Sequence, residues 1–101
     1  MDELVYQVVV RAPEGIRIGE LTAFAENGII KGRISFPSLN GQYNGTIQPS
    51  GRINIVLHTV VDSVSVESVG EGQISFYAIH VLLLHNGFTY EIDGTVKNMK
   101  G

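Results

Sequence analysis

The sequence predicts an all-β fold, an antiparallel up-and-down barrel of about eight strands, with a two-sheet β-sandwich as the alternative. Three observations carry that expectation. Apolar and polar residues alternate with period two along most of the chain. No stretch sustains apolar residues at i, i+3, i+4 and i+7, the signature of an amphipathic helix. Short clusters of Gly, Pro, Asn and Ser interrupt the alternation, and connections that short favour antiparallel neighbours, because parallel strands need long crossovers.

Taken in order, the strands are expected near residues 3 to 12, 16 to 25, 29 to 37, 42 to 49, 52 to 61, 63 to 69, 73 to 85 and 88 to 98. The turns between them fall at Pro13-Glu14-Gly15, Asn27-Gly28, Pro37 to Gly41, Ser50-Gly51, Gly70 to Gly72 and Asn86-Gly87. Closure into a barrel follows from the same rhythm, since a flat meander of this many strands would expose edges that invite aggregation.

The stretch QYNGTIQPSGRIN, residues 42 to 54, offers more turn signals than it can use. Asn-Gly between alternating apolar residues is the strongest short hairpin signal, yet Asn40-Gly41, Asn44-Gly45 and Ser50-Gly51 together would leave no strand between them. The phase of alternation resolves the conflict. In the fourth strand Tyr43, Gly45 and Ile47 share a face; in the last strand Phe88, Tyr90, Ile92, Gly94 and Val96 do. Asn44-Gly45-Thr46-Ile47 and Asp93-Gly94-Thr95-Val96 repeat one pattern, and Asp93-Gly94 lies too near the end of the sequence for a hairpin. Both glycines therefore belong inside strands, and the turns are expected at Asn40-Gly41 and Ser50-Gly51.

The third strand repeats the arrangement, with Ile30, Gly32, Ile34 and Phe36 on one face and Lys31, Arg33 and Ser35 on the other. Three strands thus carry glycine on the buried face. Such glycines mark a bulge, a bend that closes a small barrel, or a close approach by backbone or ligand. Both the bend and the ligand space are compatible with the pattern.

The totals bound the function. A chain of 101 residues is expected to form a single domain, residues 1 to 101, large enough to fold around its own core. With no cysteine, disulfides, thiolate metal sites and cysteine nucleophiles are excluded. A net charge of −3 with scattered Lys and Arg argues against nucleic acid. MDELVYQVVVRA lacks the positive start of a secretory signal, so a soluble, cytoplasmic protein is expected. Ala78 to Leu84 is too short for a membrane-spanning helix, and the aromatic girdles of an outer-membrane barrel are missing.

No catalytic residue, metal ligand or cofactor is assigned. His58, His80 and His85 have no metal-motif spacing. Ser63 or Ser65 with His58 and Asp62 contains the residue types of a hydrolase triad but no strained nucleophile turn. Gly15 to Gly19 and Gly70 to Gly72 lack the P-loop pattern and precede no helix, and Glu67 and Glu71 read as a solvated edge or loop tip. Residues 77 to 84, YAIHVLLL, are more informative, because both faces are apolar whereas a barrel strand normally shows water a polar outside. Tyr77, Ile79, Val81 and Leu83 are accordingly candidate interface residues, for a homodimer or for docking on a fused or partner enzyme domain; the other reading is that this strand crosses a packed region of its own fold.

In strand succession, in the Ala12-Pro13-Glu14-Gly15 first turn and in the in-strand glycines of Tyr43-Asn44-Gly45-Thr46-Ile47 and Asp93-Gly94-Thr95-Val96, the chain resembles a small calycin-like barrel, the lipocalin and fatty-acid-binding architecture. It departs in having no tryptophan, hence no Gly-x-Trp near the first strand, and no helical lid. The resemblance implies a non-catalytic module that binds a small apolar molecule inside the barrel, with Gly32, Phe36, Tyr43, Gly45, Tyr90 and Gly94 as the expected lining. The tyrosines would supply a polar handle.

Overall fold

A computed structural model of the chain describes residues 3–37, 39–85 and 87–97. Eight strands follow one another: β1 (Leu4–Ala12), β2 (Gly15–Glu26), β3 (Ile29–Phe36), β4 (Leu39–Ile47), β5 (Arg52–Val61), β6 (Val64–Ile74), β7 (Ala78–His85) and β8 (Phe88–Val96). Each pairs antiparallel with its neighbours in sequence, and β1 closes the ring on β8 from Tyr6↔Val96 to Arg11↔Glu91. The sandwich alternative is thereby settled in favour of one closed, all-antiparallel barrel.

Closure leaves two ends. The lower end carries the β2–β3, β4–β5 and β6–β7 turns, and the upper end carries β1–β2, β3–β4, β5–β6 and β7–β8. Asn27-Gly28 turns with φ of 54° and 79°, the positive pair that a two-residue hairpin needs to match strand twist. Ser50-Gly51 also turns, with Gly51 N donating to Gln48 O at 2.8 Å. Pro13 and Glu14 connect Ala12 to its partner Gly15. Gly87 has φ 80°, while Asn86 of the expected pair lies outside the described residues.

Of the turn expected from Pro37 to Gly41, Pro37 does turn but the described residues from 39 onward are strand, and the turn expected at Gly70 to Gly72 is strand throughout. Phe36 pairs with Leu39, so Asn40 and Gly41 already lie within β4, where Gly41 faces Ile34 and Thr59. Gly70 and Gly72 lie within a continuous β6, opposite Leu83 and Val81, and the chain turns only at Ser75, whose N donates to Ala78 O at 2.8 Å. Glu67 and Glu71 consequently stand on the outer face of that strand, each exposed, and not at a loop tip. The turn between β5 and β6, Asp62-Ser63, holds φ values of 51° and 66° without any glycine, which is why the turn vocabulary missed it.

Period two then fills the interior. Tyr6, Val8 and Val10 from β1, Ile53, Ile55 and Leu57 from β5, and Ile79, Val81 and Leu83 from β7 all point inward and are buried. Strand β6 opposes them with small inward groups, Ser68, Gly70 and Gly72. A Cβ on Gly70 would sit 3.1 Å from Leu83 Cδ1 and 3.2 Å from both Ile55 Cγ1 and Val81 Cγ1, so its neighbours occupy the room. Large against small across β6 and β7 is what lets a narrow barrel pack to interior density.

Candidate functional site

The six residues expected to line a pocket all face inward, as phasing requires, but the barrel uses them for closure. Gly32 and Tyr43 are directly opposite each other in the β3–β4 ladder. A Cβ on Gly32 would lie 1.8 Å from the Thr22 carbonyl oxygen and 2.9 Å from the Tyr43 hydroxyl. Tyr43 covers the bare glycine and donates its hydroxyl to Thr22 O at 2.7 Å, an aromatic ring repairing the gap left at a barrel bend. At Gly45 a Cβ would meet Asn54 O at 1.9 Å and Ile55 Cα at 2.7 Å; at Gly94 it would meet Val8 Cγ1 at 2.5 Å and Gln7 O at 2.6 Å. Backbone of the next strand, not vacant space, lies over these glycines.

Phe36 and Tyr90 are buried towards the upper end, where Tyr90 stands edge-on to His85 with ring centroids 5.8 Å apart. The expected set is therefore spread along the barrel and lines no single cavity among the described residues. Burial also shapes the tyrosines themselves. Desolvation raises the pKa of Tyr43 far above the ordinary phenol value, with Tyr6 and Glu3 adding smaller charge effects, and raises those of Tyr6 and Tyr90.

The expected interface needs a correction. Ile79, Val81 and Leu83 are buried in the core and unavailable to a partner, while Tyr77, in the β6–β7 turn, is exposed. The outward residues of β7 are Ala78, His80, Leu82 and Leu84. Both faces of the strand are apolar: one is the inside of the barrel, and the other, with Leu82 and Leu84, is exposed and not covered by a packed region of the same fold.

A concave apolar site lies at the lower end. A cavity of about 270 Å³ opens there, walled by Leu4, Ala25, Ile47 and Ile74, with Pro49 and Phe76 at its rim. Tyr6, Ala23 and Ile30 form its floor and are themselves buried. Its shape follows from residue size: β2 supplies Ala23 and Ala25 where larger side chains would fill the mouth. Tyr6 donates its hydroxyl to Ser75 O at 2.5 Å, fixing the β6–β7 turn beside the opening. No charged side chain lines the cavity. Sequence reasoning missed this site because alternation marks which residues face inward but not where the column of inward residues ends.

The histidines stand apart from it. His58 Nδ1 lies 3.4 Å from Glu67 Oε2 and Nε2 lies 3.4 Å from Asn44 Oδ1, all on the outside; Asp62, Ser63 and Ser65 are not its partners. His80 Nδ1 lies 2.5 Å from Asp93 Oδ1, and Arg11 donates to Asp93 Oδ2 at 2.9 Å and to Glu91 Oε1 at 3.3 Å. His85 points inward and is hydrogen bonded through Nδ1 to the buried Ser68 hydroxyl. Extending the β7 phase by one step from Leu83 would have placed it there.

The sequence matches no family model and no curated protein. Among solved structures, the chain is similar to a redesigned β barrel, mFAP1, bound to DFHBI, with a TM-score of 0.63 and 13% identity over 93% of this chain and 92% of that one. At that identity the likeness is one of fold.

Proposed function

We propose that the chain is a non-catalytic binding module of calycin-like type that takes a small, uncharged, apolar molecule in the lower mouth of its barrel. The observation that carries this reading is the uncharged cavity bounded by Leu4, Ala25, Ile47 and Ile74. Its volume sets the ligand size. An apolar cavity of roughly 150 Å³ accepts benzene, and about 270 Å³ therefore holds about two rings of a ligand, with any further ring placed at the open mouth. Apolar walls with few polar groups are the ordinary make-up of a small-molecule site. The structural neighbour supports the reading in one respect: mFAP1, a barrel of like fold, was solved with the small molecule DFHBI bound. A non-catalytic role accords with the histidines, two of which are engaged on the outer surface while the third is tied to Ser68.

The test is titration with N-phenyl-1-naphthylamine, an uncharged dye that brightens in apolar surroundings. The wild-type chain brightens the dye saturably, and Ala25→Leu, which fills the mouth, weakens binding by about tenfold or more. Absence of saturable brightening, or equal binding by Ala25→Leu, would refute the proposal.

A further inference from the structure

The outer surface of β5, β6 and β7 carries an apolar row that the mouth does not use. Val56 pairs with Val69, and Val69 with Leu84, so the three lie side by side across adjacent strands. Leu82 stands one outward position below Leu84. Val69, Leu82 and Leu84 are 57%, 42% and 51% exposed, and the row borders a groove of about 560 Å³. Charge flanks this row on both sides. Glu67 lies one outward position above Val69, and Glu71 one below it; Glu71 and Glu91 are the two cross-strand neighbours of Leu82. Glu91 is engaged by Arg11 and Glu67 faces His58, whereas Glu71 has no ion pair among the described residues.

We propose that this groove docks an amphipathic helix from a partner protein, one whose apolar stripe is bordered on both sides by lysine or arginine. The spacing fits. Glu67 and Glu71 are four residues apart on one strand, about 13 Å at roughly 3.3 Å per residue, and a helix with its side chains is about 10–12 Å across. A helix laid along the Val56–Val69–Leu84 row would bury its stripe on those residues and bring cations of its two borders to Glu67 and Glu71. About ten helical residues, spanning about 15 Å, cover the three strands. The chain's net charge of −3 steers in the same direction. A second copy of this chain fits less well, because a two-fold contact centred on β6 sets Glu67 and Glu71 against the same carboxylates of the other copy.

The probe is a fluorescein-labelled, end-blocked peptide, LKKLLKLLKKLLKL, titrated with the full chain and followed by anisotropy at 0.15 M salt. Saturable binding is expected, weakened at least about fivefold by Leu84→Ser and by Glu71→Lys. Both sites are exposed, so the variants should fold, which circular dichroism checks. Ala25→Leu, which fills the mouth, should bind the peptide as wild type does, separating this surface from the proposed ligand site. The same peptide with Glu for every Lys should not bind. The proposal is overturned by no binding, by equal binding of Leu84→Ser and Glu71→Lys, or by a concentration-dependent dimer that Leu84→Ser abolishes, which would make a second copy the occupant.

Discussion

The two ends of the barrel are built from the same eight strands in the same alternation, yet among the described residues one is closed over by buried side chains and the other is open. At the upper end Phe36, Tyr90 and His85 point inward and are buried, with Thr59 and a Ser68–His85 hydrogen bond beneath the turns. At the lower end the terminal inward residues are Leu4, Ala25, Ile47 and Ile74, all only partly buried around a cavity. The difference lies in side-chain size at the last inward positions, not in topology. Alternation decides what faces the axis, and volume decides whether the axis is plugged.

Five substitutions or conditions would break or sharpen that contrast. The largest effect belongs to the bend that both ends share. Gly45→Val drives a side chain into Asn54 O and Ile55 Cα of the neighbouring strand, and the barrel should lose more than about 4 kcal/mol or fail to close, as seen by urea denaturation. Loss of dye binding by a fully stable Gly45→Val barrel would show that the glycine vacates ligand space instead. At the upper end, Phe36→Ala removes a buried ring and should cost about 3–5 kcal/mol in the same assay.

Ser68→Ala should cost about 1–3 kcal/mol, because it strands His85 Nδ1 in a buried setting. Alkali attacks the tyrosines. The pKa values of Tyr43 and Tyr6 are raised in the folded chain, so the folded state holds protons that the unfolded chain releases from about pH 10 upward. Stability from these groups is complete below pH 10 and falls above it, by up to about 1.4 kcal/mol per pH unit for each tyrosine. Denaturation midpoints measured from pH 8 to 11 should show the decline, and Tyr43→Phe should make it shallower. The smallest effect is Ala25→Leu at the open mouth, where stability should change by less than about 1 kcal/mol, since the site has room and already touches solvent.

Much of this architecture is legible in the sequence, and the failures share a cause. The inward phase of Gly32, Gly45 and Gly94 and the rejection of Asn44-Gly45 as a turn follow from period two alone. The same glycine signal misled at Asn40-Gly41 and Gly70 to Gly72, because a strand bend and a turn both favour glycine. What separates them is the neighbouring backbone: a Cβ on Gly72 would lie 1.9 Å from His80 O, a partner eight residues away in sequence and unknown until the register is known. Asp62-Ser63 erred in the opposite sense, turning with positive φ on residues that only tolerate it. The interface expected on Ile79, Val81 and Leu83 falls one residue out of phase, and a single-residue slip exchanges core for surface. The mouth could not be foreseen, since it depends on where eight separate strands end relative to one another.

Amide chemical-shift mapping of the isotope-labelled chain with N-phenyl-1-naphthylamine tests the lower-mouth site most directly. Perturbations should gather at Leu4, Ala25, Ile47, Ile74 and Phe76. Shifts centred on Phe36, His85 and Tyr90, or on Val69 and Leu84, would contradict it, placing the dye at the filled end or on the outer wall.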